Sequence, residues 1–126
     1  MASSPDELQG LLSAMLNKPF CVALRHPGRT AADPELLRAH LRWMVAAERR
    51  GVLFASGPFV ADGVPPGTLG GMSIVRAASI AEAHDLLADD PFVREGVVTL
   101  DIRKWMVMEG GLTVTVRFSD QSSRLL

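Results

Sequence analysis

Hydrophobic and polar positions repeat at two different periods along this chain, and the changes of period mark its elements. Residues 4–16 place Leu8, Leu11, Leu12, Met15 and Leu16 on one face at helical spacing. Ser4 is a candidate N-cap, Pro5 suits the first helical position, and Glu7 completes a capping box. Lys18-Pro19 ends this amphipathic helix, whose apolar face needs cover from the domain or from a second subunit. Phe20 to Leu24 is a continuous apolar run, predicted as a buried strand, with a loop from Arg25 to Ala32 after it. A second helix is framed by Asp33 as cap, Pro34 at its start, Arg49 and Arg50 at its basic end, and Gly51 as its stop. Val52 to Ala55 reads as a short strand ended by Ser56-Gly57-Pro58, and a Gly/Pro-rich loop over 57–70 is long enough to suggest function.

Gly71 to Ala77 alternates as a strand. Ser79 with Glu82 caps a helix over 79–88 that turns Ile80, Ala83 and Leu87 inward. Residues 97–108 form a long strand with Val98, Leu100, Ile102, Met106 and Met108 on one side and Val97, Trp105 and Val107 on the other. Gly110-Gly111 turns the chain into a half-buried strand, where Leu112, Val114, Val116 and Phe118 alternate with polar residues. The order α-β-α-β-β-α-β-β contains βαββαβ, so the expected fold is α+β and ferredoxin-like, an antiparallel sheet with an extra N-terminal helix and C-terminal strand. The expected organisation is a helical extension over 1–18, a single domain over 19–118 and a loose tail over 119–126. A strand apolar on both sides in so small a domain predicts a homodimer packed sheet to sheet.

The 126 residues suffice for one domain with a core, and 48% apolar with 21% charged residues is ordinary for a globular chain. A net charge of -1 without a basic block argues against nucleic acid as a partner. The single cysteine, Cys21, excludes an intramolecular disulfide and reads as a buried, inert thiol, which with the absence of a basic leader segment predicts a cytoplasmic protein. No apolar run reaches the roughly 18–20 residues of a membrane span. His26, His84 and Cys21 lack metal-ligand spacing, so no metal site is expected. Ser56-Gly57-Pro58 is not a nucleophile elbow, and Gly67 to Gly71 fits neither a dinucleotide fingerprint nor a P-loop. No cofactor is expected.

The candidate chemistry lies in His40 and in the segment Asp89-Asp90-Pro91-Phe92-Val93-Arg94-Glu95-Gly96. On a helical wheel Leu36, Leu37, Leu41, Trp43, Met44 and Ala47 span one arc with His40 near its middle, while Arg38, Arg42, Val45 and Arg49 lie opposite. The imidazole therefore points toward the sheet, where its cationic form loses solvation unless an acid compensates. Asp90 is the candidate acid. It follows a helix whose C-terminal dipole disfavours carboxylates, and Pro91 forces it out of the α region. A His–Asp pair fixes one imidazole tautomer and leaves the other nitrogen free for proton transfer. Each residue alone has a plainer reading: His40 as a hydrogen-bonded core residue, Asp90-Pro91 as a cap and first helical residue, with Asp89 the solvated acid. Arg25, where the first strand meets its loop, is a candidate carboxylate binder or a surface arginine. Trp105 and Met106 are expected in the core or a dimer interface.

Ala39-His40-Leu41, Ala55-Ser56-Gly57-Pro58, Ala88 through Gly96, and the strand leading to Lys104-Trp105 together resemble the YciI-like (YCII-related) family over roughly residues 19–107. The resemblance implies a dimeric α+β barrel made by two ferredoxin-like units. It maps the family's histidine and aspartate onto His40 and Asp90, an acid/base pair facing a cleft beside the sheet. Some relatives act on chlorinated or hydroxylated aromatic breakdown products. The chain departs from the family at its two extensions and at Leu37, where an arginine often stands one turn before the histidine. Two readings follow. One is a cofactor-independent lyase, isomerase or dehalogenase with His40 as base oriented by Asp90, and with Arg25, Ser56, Gly57, Pro58 and the 57–70 loop holding a small anionic or phenolic substrate. The alternative is a non-catalytic dimeric module that binds a small molecule or accompanies a pathway enzyme. A haem- or quinone-handling monooxygenase of the wider barrel group rests on fold analogy alone.

Overall fold

A computed structural model describes residues 5–125, and by its internal contacts the chain divides into two units. The larger runs from Pro19 to Met106; the smaller combines the N-terminal residues to Lys18 with Val107 onward. The proposed Ser4 cap lies outside the described residues.

The larger unit carries β1 (Lys18–Pro27), α2 (Pro34–Arg49), β2 (Leu53–Pro58), β3 (Gly71–Val75), α3 (Ile80–Leu87), α4 (Pro91–Arg94) and β4 (Val98–Val107), following α1 (Pro5–Ala14). The sheet order is β2-β3-β1-β4, with β3 antiparallel to both β1 and β2. This is the split βαβ arrangement of the ferredoxin-like fold that the element order predicts. The sequence signals for helix ends act as read. Asp33 Oδ1 accepts from Leu36 N at 2.7 Å, and Ser79 Oγ accepts from Glu82 N at 3.0 Å. Gly51 stops α2 at φ +82°, a left-handed conformation that a side chain would oppose. Glu82 completes its box one residue earlier than expected, accepting from Ala78 N.

The core between helices and sheet joins Cys21, Ala23, Val75, Ala47, Ala83 and Leu87, all fully buried, with Trp43 and Met44 packed against them. A leucine such as Leu87 contributes about 1.5–3 kcal/mol by leaving water. Several expectations need correction. β1 does not stop at Leu24: it runs to Pro27, so Arg25 is a strand residue and not the start of a loop. Cys21, Ala23 and Arg25 alternate onto the helix-covered face, and Arg25 is buried, which overturns the surface-arginine reading. β2 likewise runs through Ser56-Gly57-Pro58. Leu37 and Leu41 are about half exposed instead of packed on the sheet, because that flank of α2 borders a cavity. Ile80, at the first turn of α3, is exposed and not turned inward; Trp105 and Met106 near the end of β4 are exposed as well, which removes only the core alternative of their reading.

Close backbone approach sets the far end of β1. Gly28 N donates to Val97 O at 2.7 Å, and a Cβ at Gly28 would lie 2.1 Å from Gly96 O, so only glycine fits. The long loop is tied at its ends by Phe59 N donating to Gly70 O at 2.8 Å.

In the smaller unit, α1 leaves Leu8, Leu11 and Leu12 exposed and buries no residue. The strand expected over 112–118 is shorter: β5 (Val114–Val116) pairs with β6 (Ser123–Leu125), where a loose tail was expected. Its apolar residues are not half-buried. Val114 and Val116 are exposed and Phe118 is almost fully so.

Candidate active site

Asp90 organises the site. Pro91 holds it in an extended conformation (φ −58°, ψ 123°), and its side chain caps α4 by accepting from Phe92 N at 3.0 Å. The cap reading is therefore correct, and the carboxylate does more besides. The same Oδ1 lies 2.7 Å from His40 Nδ1, and Oδ2 accepts from Arg25 Nη1 at 2.6 Å. The aspartate is fully buried, with the arginine and histidine side chains 7% and 12% exposed. Burial pushes the Asp90 carboxyl upward, but the hydrogen bond from His40 and the charge and hydrogen bond of Arg25 outweigh it and hold it below its ordinary value.

That ionised acceptor fixes the imidazole: Nδ1–H donates to Asp90, and in the neutral ring Nε2 carries the lone pair. Phe92 stacks on His40 with centroids 3.8 Å apart and planes at 4°, which restrains the ring further. α2 supplies the histidine, and the aspartate and phenylalanine come from the first residues around α4.

Arg25 is held from three sides. Besides Asp90 it donates from Nε to Ser73 Oγ at 2.8 Å and from Nη2 toward Met44 Sδ at 3.6 Å. Ser73 Oγ in turn meets Ser56 Oγ at 2.8 Å. The register explains this chain of contacts. Ala23 faces Ser73 across β1 and β3, which puts Ser73 beside Arg25 on the buried face. In β2 a bulge between Leu53 and Ala55 adds one residue, so Leu53 and Ser56 pair with Val75 and Ser73 on that same face. Among the described residues, no buried side-chain nitrogen or oxygen lacks a partner.

Above this network lies a cavity of about 750 Å³. Arg25, His40 and Ser56 reach it, Gly57 and Pro58 form part of its wall, and Leu41, Phe54 and Phe92 make it largely apolar. Pro66, Gly67 and Gly70 bring the long loop to its rim. All six site residues expected from the sequence thus border one cavity or, for Asp90, the layer directly beneath it. Ser73 was missed, as were the stacking by Phe92 and the sulfur contact of Met44. The available signal for Ser73 was a lone hydroxyl in an otherwise apolar strand, Gly71 to Val75. Among the described residues no cluster of His, Cys, Asp and Glu could hold a metal ion, and no helix is long and apolar enough to cross a membrane.

A ferredoxin-like α+β unit with a buried Arg–Asp–His array under an apolar cavity is the class that fold and site define. The model of the YCII-related domain matches residues 19–106, and the chain belongs to that family. No curated protein matches. Among solved structures, the chain is similar in fold to 5-chloro-2-hydroxyhydroquinone dehydrochlorinase (TftG) from Burkholderia phenoliruptrix AC1100, in complex with 2,5-dihydroxybenzoquinone. The TM-score is 0.50 at 18% identity, covering 68% of this chain and 92% of the other.

Proposed function

We propose that this protein is a cofactor-independent acid/base enzyme of the lyase, isomerase or dehalogenase type, acting on a small hydroxylated, aromatic-derived substrate. The observation that carries the proposal is the 2.7 Å contact between His40 Nδ1 and an ionised, fully buried Asp90, with His40 bordering the cavity. His40 Nε2 takes a proton from a substrate hydroxyl, and Asp90 stabilises the resulting imidazolium. Arg25 has five N–H groups, of which three are engaged, so two remain to receive the developing oxyanion. Ser56, Gly57 and Pro58 hold the ring. Where the ring carries a halogen, protonation of a ring carbon and loss of a second hydroxyl proton let halide leave with the C–X bonding pair. The net change is loss of HX, and no external oxidant is needed. The likeness to a dehydrochlorinase supports this choice of substrate class at the level of fold.

Turnover is tested on hydroxylated and halogenated aromatics, by ultraviolet spectra and halide release, for wild type and His40→Ala. The expected loss is about 10²-fold or more, the usual contribution of a positioned acid/base group. A variant with full activity overturns the assignment of His40. The complete hydrogen bonding of the buried network also suits a non-catalytic binding module, which would bind such compounds without changing them.

The proposal includes a homodimer packed sheet to sheet. Supporting it is the sheet surface on which Val22, Met72 and Trp105, flanked by Arg103 and Lys104, line a shallow depression of about 270 Å³, with Trp105 44% exposed. Light scattering after gel filtration should give twice the 13.6 kDa chain mass; a monomer at micromolar concentration contradicts it.

A further inference from the structure

The cavity has a second end. His40, Met44 and Glu48 all border it, and they follow one another at intervals of four residues along α2. Two helical turns therefore separate His40 from Glu48, about 12 Å along the axis at 1.5 Å per residue. Between them the wall is apolar: Leu41, Val45, Leu53 and Phe54. At about 750 Å³ the space lies in the upper part of the roughly 300–1,000 Å³ range of small-molecule pockets and exceeds the needs of a single substituted ring. Arg25 is the only arginine or lysine bordering the cavity among the described residues, and its guanidinium is already turned to Asp90. The two carboxylates are thus unequal. Asp90 is neutralised by His40 and Arg25, whereas Glu48 makes no ion pair with a described residue. Glu48 is exposed at the cavity rim in the last turn of α2, and of the two arginines that follow it Arg50 lies over the Trp43 ring.

We infer that Glu48 forms a distal subsite for a cationic group, so that the cavity takes an elongated, bipolar ligand: a hydroxylated ring at His40 and Arg25, an apolar middle, and a protonated amine at Glu48. The inference rests on the acid/base reading only for the identity of the ring end. Glu48 acts on affinity and selectivity and takes no part in proton transfer.

The test uses three catechols bearing a butyl, an aminobutyl or a carboxypropyl arm, with binding measured by calorimetry on wild type, Glu48→Gln, Glu48→Lys and His40→Ala. In wild type the amine arm should bind about three- to fivefold tighter than the butyl arm, the size expected of a solvent-bordered ion pair. Glu48→Gln should abolish that preference, and Glu48→Lys should transfer it to the carboxylate arm. His40→Ala should keep the amine preference even though it loses turnover, which separates failure of the subsite from failure of the base. Equal binding of the amine and butyl arms, an unchanged preference in Glu48→Lys, or no binding of any of the three overturns the inference.

Discussion

Asp90→Asn removes one negative charge while leaving the side-chain volume, and an oxygen able to cap α4, in place. Asparagine caps as well as aspartate, so loss of the cap contributes little. The main effect falls on Arg25, whose side chain is 7% exposed and loses the only carboxylate within ion-pair distance among the described residues. Removing one partner from a buried ion pair costs about 3–5 kcal/mol, because the remaining charge stays desolvated. Since Arg25 borders the cavity and two of its N–H groups can reach water there, the expected loss is at the lower end, about 3 kcal/mol. Against a domain stability of about 5–15 kcal/mol that is a large fraction. The assay is urea unfolding followed by tryptophan fluorescence, on Asp90→Asn, Arg25→Met and the double variant. Removing both charges takes away the stranded ion, so the double variant should be more stable than Asp90→Asn alone, with a coupling of about 2–3 kcal/mol. Stability of Asp90→Asn within about 1 kcal/mol of wild type, or strict additivity in the cycle, would refute the view of Asp90 as a charge-compensating hub.

Two further outcomes follow from the same network. The folded Asp90 carboxyl lies below its ordinary value of 3.8, so the unfolded chain binds the proton more readily; its contribution is present above that value and lost as pH falls below it toward the folded pKa. Acid unfolding of wild type should therefore show a stability loss below about pH 4 that is reduced in Asp90→Asn; identical pH profiles would contradict the shift. Ser73→Ala strands the buried Arg25 Nε–H, and thermal unfolding should report a loss of about 1–3 kcal/mol. Ser56→Ala, at an exposed residue that bonds Ser73 and not Arg25, should cost less than Ser73→Ala, and equal losses in the two variants would show that Ser73 is not the supporting partner.

Most helix boundaries were legible because their signals are local. Asp33 and Pro34 start α2 and Gly51 stops it through groups within a few residues of each other, and Ser79 and Asp90 act over two or three positions. The βαββαβ order followed from periodicity for the same reason. The apolar alternation over 112–118 misled, because alternation reports which residues share a face and not whether anything covers that face.

The candidate site divides along the same line. His40 and Asp90 stood out in the sequence as ionisable groups in locally unfavourable places, one in an apolar stripe and one past a helix end. Arg25 was ambiguous, because a strand end and a loop start look alike when Pro27 and Gly28 follow. Its burial depends on a partner strand that begins 46 residues later at Gly71, and its third support, Ser73, comes from that strand. Whether Ser56 faces the site depends on a single bulge in β2, which reverses the face of every residue beyond it. Near neighbours and period account for most helix ends, the βαββαβ order and the two groups able to exchange a proton. What local patterns leave open is the meeting itself: His40 from a helix and Arg25 from a strand reach Asp90 beneath a single cavity, and Ser73 and Ser56, from two further strands, extend the contacts outward from Arg25. Register, bulge and strand order are set by packing between distant segments, and no local pattern records them.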